Sequence, residues 1–147
     1  MAYDINSLRK TNRKTLGNEV DIAMFRLVRF MDLKKYLGTG ANAVIYAAGK
    51  QYGKELNPKS VEEVVKFCMD LKIGIISIIN KNPLTIRVNE CITCSGLEKN
   101  NELLCYFEGG FIAGCLESIY GKKVNVKETK CEGLGDDFCQ FEVSFCN

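Results

Sequence analysis

Residues 123–145 read KVNVKETKCEGLGDDFCQFEVSF. Two alternating runs flank a glycine-containing turn, the pattern of a β-hairpin. In the first run, Val124, Val126 and Glu128 share one face by the period of two. In the return run, Cys139, Phe141, Val143 and Phe145 share the apolar face. The valines mark their face as the buried one, so Glu128 is expected to point inward, with Cys139 as a candidate opposite it across the hairpin. A buried carboxylate is costly unless something pairs with it. The chain has no His, and Lys130 at the strand end is the only Lys or Arg on that face. Zinc accepts both cysteine and carboxylate and closes a tetrahedral site with four of them. Cys131, three residues after Glu128, is near enough to join. The pattern equally admits buried thiols beside a solvent-reaching glutamate, and both readings stay open on these residues alone.

Working outward, residues 104–120 read as a helix, with Gly110 and Gly114 four apart and Gly121 as the stop. Cys105 opens that helix, which must pack on the sheet. Upstream, Leu84, Ile86 and Val88 alternate with Thr85, Arg87 and Asn89, as in a half-buried strand. Residues 73–79 are β-branched and almost wholly apolar, as in a strand covered on both faces. Residues 80–83 turn between the two strands. Three helices are expected before them. Ser60 and Glu63 form a capping-box pattern, followed by Val61, Val64, Val65, Cys68 and Leu71 on one face. Residues 41–52 carry Gly49, which with Gly53 makes a smooth strip for close backbone approach. Over residues 21–37, Ile22, Phe25, Leu27, Val28, Met31 and Leu37 recur at helical spacing. Residues 1–18 read as a polar arm, leaving 19–147 as a single domain. The order ααα-ββ-α-ββ predicts an α+β fold, with helices packed on an antiparallel sheet built from two hairpins.

With 147 residues, 46% of them hydrophobic, the chain can bury a core without disulfides. A net charge of +2 gives no field that would select nucleic acid or an anionic membrane. Arg9, Lys10, Arg13 and Lys14 read as a solvated stretch of the arm. No apolar run reaches the about 18 residues that span a bilayer, and the N-terminus lacks the apolar core of a signal peptide. A cytoplasmic protein is expected. In a reducing compartment the eight cysteines should not pair as structural disulfides, so a cluster of them points to metal or redox chemistry. The absence of His excludes His-based acid/base catalysis and His metal ligands.

Cys105-Tyr-Phe-Glu-Gly-Gly110-x3-Gly114, Gly121, Glu128-x2-Cys131, Gly135 and Cys139-x-Phe141 together resemble the vinyl-4-reductase (4VR) domain. That family includes small archaeal proteins, sensor domains of bacterial regulators of aromatic catabolism and a protein linked to bacteriochlorophyll vinyl reduction. It is distantly similar to tethering subunits of a vesicle-trafficking complex. In the sensor domains three Cys and one Glu hold a zinc, and Cys105, Glu128, Cys131 and Cys139 fall at that spacing without a gap. The resemblance therefore implies one zinc per chain on these four residues, with iron as the alternative ion. It also implies a pocket for a hydrophobic or aromatic small molecule, and a homodimer.

Three functions follow as expectations. The first is a ligand-binding sensor or carrier domain whose zinc is structural, because four protein ligands leave no open position. The second is a reductase of a vinyl group on a tetrapyrrole-like substrate, which lacks any hydride-cofactor fingerprint in this sequence. The third is a scaffold whose helices pair with a partner through the Gly49/Gly53 strip. Cys91 and Cys94 form a CxxC outside the βαβ setting of redox motifs, and they read as structural thiols. As a metal half-site the motif has no partner pair in the sequence. Gly133-Leu-Gly135 joins two strands and reads as a turn, not a phosphate loop. Cys68 and Cys115 read as core residues and Cys146 as incidental.

Overall fold

The computed structural model describes residues 5–146. Residues 1–4 of the expected arm, Asn147 and the side chain of Met31 lie outside the described residues. The described part of the arm holds one short helix, α1 (Ile5–Leu8). Helix α2 (Ile22–Leu27) runs through a π-helical stretch (Val28–Leu33) into α3 (Lys34–Leu37). Helices α4 (Gly40–Leu56) and α5 (Val61–Asp70) follow. The first hairpin is β1 (Ile75–Lys81) with β2 (Leu84–Asn89), then come α6 (Tyr106–Tyr120) and the second hairpin, β3 (Val124–Lys130) with β4 (Cys139–Phe145). The two hairpins join through an antiparallel β2–β4 pair, giving a four-stranded sheet in the order β1-β2-β4-β3. This is the expected α+β architecture.

One face of the sheet is apolar by the period of two. Ile86 and Val88, Val124 and Val126, and Cys139, Phe141 and Val143 are all buried there. Helix α6 lies on that face. Its residues from Glu108 to Leu116 are buried without a break, because α6 is covered by the sheet on one side and by α4 on the other. The contact with α4 is between backbones. A Cβ at Gly110 or Gly114 would overlap the carbonyl oxygen of Tyr46 or Lys50. A Cβ at Gly49 or Gly53 would overlap the carbonyl oxygen of Phe107 or Phe111. The two glycine strips therefore interlock within one chain. The Gly49/Gly53 strip is not free to receive a partner, which corrects the expectation attached to the scaffold reading.

Local signals hold at several element ends. Ser60 caps α5 by accepting from Glu63 N–H at 3.3 Å. The Glu63 carboxylate reaches back to Lys59 N–H at 2.7 Å, one residue before the usual capping-box donor. Gly121 closes α6 in the left-handed region at φ 64°. Where α6 turns into β3, Glu117 accepts from Val124 N–H at 2.9 Å and pairs with Lys50 at 2.6 Å and Lys54 at 2.7 Å. Burial raises the Glu117 pKa, but hydrogen bonds from both lysines outweigh it and hold the carboxyl at about 2.

Other expectations fail for tertiary reasons. Strand β1 is not covered on both faces. It is an edge strand starting at Ile75, and only Ile76 is buried. The helix expected over residues 21–37 is interrupted by the π stretch, and Ile22, Leu27, Val28 and Leu37 stay exposed. Across the last hairpin Glu128 faces Phe141, not Cys139, and Cys139 faces Val88 of β2. A register shift between Glu128 and Lys130 separates the expected pair.

Glycine substitutions should separate close packing from mere helix content. Gly110→Ala is expected to lower unfolding free energy by about 1–3 kcal/mol, because the helices must part. Gly40→Ala, with nothing within 4 Å of its Cβ, should be neutral or stabilising by up to about 1 kcal/mol in the same urea titration.

Candidate functional site

Five cysteines converge where the CxxC loop, the start of α6 and the second hairpin meet. Cys91 and Cys94 follow β2, Cys105 is the residue before α6, Cys131 follows β3 and Cys139 opens β4. All five are fully buried and none is in a disulfide. The Cys105 sulfur lies 3.4 Å from those of Cys91 and Cys94, 3.5 Å from that of Cys139 and 3.8 Å from that of Cys131. Cys94 and Cys139 are 3.1 Å apart.

Backbone contacts fix each sulfur. Cys131 N–H donates to Asp136 at 3.0 Å, and Cys131 O accepts from Leu134 and Asp136 N–H, which closes the turn. Gly135 completes that turn at φ 97°, where a side chain would be strained. The loop before α6 docks on it: Asn100 and Asn101 N–H both donate to Gly133 O at 3.0 Å. The CxxC loop is held from the other side. Ile92 N–H donates to Ile73 O, and the Arg26 side chain donates to Ile92 O at 2.9 Å and Ser95 O at 2.7 Å.

Glu128 points inward, as the alternation on β3 requires. Its Oε2 accepts from Cys105 N–H at 3.0 Å, while Oε1 is buried without a hydrogen-bond partner among the described residues. Burial pushes the carboxyl up to about 9, with the neighbouring Cys131 adding to the shift. A buried, half-satisfied carboxyl beside clustered thiols is the donor set a thiophilic divalent metal takes. With metal–sulfur bonds of about 2.3 Å, tetrahedral sulfur ligands stand about 3.8 Å apart. The observed separations are at or slightly below that value, so the residues present fit a metal ion.

The four residues singled out in the sequence, Cys105, Glu128, Cys131 and Cys139, come together with ligand atoms all within 4.8 Å of one another. A second set meets the same criterion: Cys91, Cys94, Cys105 and Cys139. The CxxC thus finds in Cys105 and Cys139 the partner pair that the sequence did not reveal. The β2–β4 pairing, which sets Val88 against Cys139, brings it there.

Beside the cluster lies a buried polar chain. Arg29 donates to Thr93, and Thr93 donates to Glu108 at 2.5 Å. Arg29 also stacks on Phe25 and Phe107, 4.0 and 4.6 Å from their ring centres. Burial is the largest influence on Glu108 and raises its carboxyl to about 8, although Arg29, 3.7 Å away, pulls the other way. A cleft of about 490 Å³ opens on the far side, between α4, α6 and β3. Tyr46, Leu103, Tyr106, Gly109, Val126 and Phe141 line it, and Cys105 and Glu128 form the wall it shares with the cluster. Tyr46 OH accepts from Val126 N–H at 3.1 Å, which ties α4 to β3 at the cleft edge.

Residues 84–145, which hold β2, the second hairpin and every cysteine of the cluster, match the vinyl-4-reductase (4VR) domain. MJ1642, an uncharacterized protein of Methanocaldococcus jannaschii, is 45% identical over 128 residues, covering 87% of this chain and 80% of its own. The chain belongs to the vinyl-4-reductase domain family. Among solved structures, this 4VR protein resembles a vinyl-4-reductase family protein from M. jannaschii. That likeness has a TM-score of 0.68 at 26% identity, over 88% of this chain and 83% of the other. The phenol-responsive sensory domain of the transcription activator PoxR, solved with phenol, shares the fold at TM-score 0.71 and 15% identity, over 84% of this chain and 74% of that one. A trafficking protein particle complex subunit 3 from Naegleria fowleri, covalently bound to palmitic acid, shares it at TM-score 0.62 and 17% identity, over 86% and 93%. No described helix is long and apolar enough to cross a membrane.

The raised Glu108 carboxyl gives a signed pH effect. Between its ordinary 4.5 and about 8 the folded chain keeps a proton that the unfolded chain releases, so this group's contribution to stability declines as pH rises through that window. Glu108→Gln should flatten that decline in denaturation midpoints measured from pH 5 to pH 8. An unchanged slope would mean that the carboxyl is already ionised in the folded protein.

Proposed function

We propose that this 4VR domain binds a small hydrophobic or aromatic molecule in the cleft between α4, α6 and β3, as a sensor or carrier, with a structural zinc bracing one wall. The observation that carries this reading is the shared wall: Cys105 and Glu128 belong both to the cleft lining and to a four-ligand set. At about 490 Å³ the cleft lies in the roughly 300–1,000 Å³ range of small-molecule sites. Its lining is mostly apolar, with Tyr46, Tyr106 and Asn125 as polar handles. The phenol held by the PoxR sensory domain, which shares the fold, supports an aromatic ligand.

Zinc is the ion proposed for Cys105, Glu128, Cys131 and Cys139. Such a site leaves no open position, so the metal stabilises the wall and catalyses nothing. Binding would displace the thiol protons and give Glu128 Oε1 its missing partner. Exposed Ile22, Met24, Leu27 and Val28 on the N-terminal helical segment, and Ile75, Ile78 and Ile79 on the edge strand, support a homodimer as the solution state.

Two measurements test this function. Gly109 lines the cleft, and a Cβ there makes only ordinary contacts with Tyr46 and Phe141. Gly109→Leu is therefore expected to keep the fold, fill the cleft and abolish the thermal shift given by phenol or alkylphenols in the wild type. The absence of any shift in the wild type across a series of apolar ligands would defeat the binding-module reading. Cys131→Ser is expected to contain one zinc fewer per chain than the wild type by elemental analysis, and to melt several degrees lower. Equal zinc in both proteins would remove Cys131 from the ligand set.

A further inference from the structure

The proposed zinc site uses only four of the six donors gathered in this space. Cys91 and Cys94 are as deeply buried as the others, and their sulfurs press on the sulfurs of Cys105 and Cys139 at 3.1–3.4 Å. We infer that the cluster is a dinuclear metal–thiolate centre. Cys91 and Cys94 are terminal ligands of a second divalent ion, and the Cys105 and Cys139 sulfurs bridge it to the ion held by Glu128 and Cys131. This extends the zinc reading given above and rests on it for one of the two ions.

The arrangement of the donors carries the inference. Each four-ligand set has ligand atoms within 4.8 Å of one another, and the two sets share two members, Cys105 and Cys139. Two tetrahedra that share two corners share an edge, and the shared edge here measures 3.5 Å. An edge of about 3.8 Å is what metal–sulfur bonds of about 2.3 Å give in a tetrahedron. The remaining sulfur separations, 3.1–3.8 Å, are also of single-ion size. They leave no room for the inorganic sulfide that stands between irons in an iron–sulfur cluster.

Single occupancy leaves donors stranded in either half. An ion on Cys105, Glu128, Cys131 and Cys139 leaves the Cys91 and Cys94 thiols crowded against coordinated sulfurs. An ion on the four cysteines instead leaves Glu128 buried with an unpartnered Oε1. Two ions give all six donors a metal. Five thiolates and one carboxylate carry six negative charges, and two divalent ions leave a net charge of −2. Positive potential is available to meet it. Arg29 is buried beside Cys91 and Cys105 and interacts electrostatically with both. Cys105 stands at the N-terminus of the 15-residue helix α6, whose dipole favours negative charge. The soft, sulfur-rich donor set selects zinc or another thiophilic divalent ion over a hard one.

Metal counting and spectroscopy on the full chain test the inference. Wild-type protein purified in the presence of zinc is expected to hold two zinc ions per chain. The double variant Cys91→Ser/Cys94→Ser is expected to hold one, a two-fold loss, and Cys131→Ser also one. A single zinc in the wild type, lost in Cys131→Ser and kept in the double variant, overturns the dinuclear centre and leaves the zinc site of the proposed function standing. A single zinc lost in the double variant and kept in Cys131→Ser overturns both. Cobalt exchange into the wild type needs no variant to fold. Thiolate bridges couple the two ions, so the paramagnetic resonance signal should rise with the first cobalt equivalent and collapse with the second. A signal that grows in proportion to both equivalents, or saturates at one, overturns the bridge.

Discussion

Helices α4 and α6 touch backbone to backbone, and this contact positions the rest of the molecule. It exists because Gly49 and Gly53 on one helix meet Gly110 and Gly114 on the other, where any Cβ would collide with a carbonyl. At this distance α4 shields the side of α6 that the sheet leaves open, so α6 can be apolar around its circumference over residues 109–116. A helix buried in this way can press its other side flat on the sheet. That fixes the height of Cys105 above β3 and β4, and with it the place where a carboxylate and several sulfurs meet. The cleft has the same origin, since the space between α4, α6 and β3 is what remains when the two helices approach so closely.

The second organising element is the β2–β4 pairing. It turns two sequence-local hairpins into one sheet, and it sets the end of β2 beside the start of β4. The CxxC loop leaves β2 at that point, so its thiols arrive next to Cys139 and Cys105. The loop does not rely on the cysteines alone. Arg26 and Arg29 reach it from the N-terminal helical segment, one through backbone carbonyls and the other through Thr93. Cysteine cluster, CxxC loop and N-terminal helix thus form one connected body. The aromatic stack of Arg29 on Phe25 and Phe107 ties the same helix to α6. A ligand that moves the α4–α6–β3 wall has a physical route to the N-terminal surface through these contacts.

Much of the site is legible in the sequence, because its signals are local. Alternation on residues 124–128 places Glu128 inward, the turn glycines place Cys131 near it, and the return strand places Cys139 on the same face. The capping residue Ser60, the stop at Gly121 and the glycine strips are single positions whose chemistry allows few alternatives. The edge strand misleads because its composition resembles a central strand. Nothing in residues 75–81 tells on which side the next strand will lie. The first helix misleads in the same way: its apolar spacing is real, but helical spacing does not say whether the core reaches that far.

What the sequence by itself determined is the set of elements, their order, the inward-facing carboxylate and a four-residue donor set supported by resemblance. Those depend on periods of two and 3.6 and on residues a few positions apart. Only the tertiary structure decided that six donors share one space, that Cys91 and Cys94 are among them, and that Glu128 lies across from Phe141 instead of Cys139. Those depend on a strand pairing between residues distant in the chain, such as Val88 with Cys139, and on a register shift within the last hairpin. Non-local pairing is chosen by the burial of whole faces, a sum over many side chains, and no single residue records it.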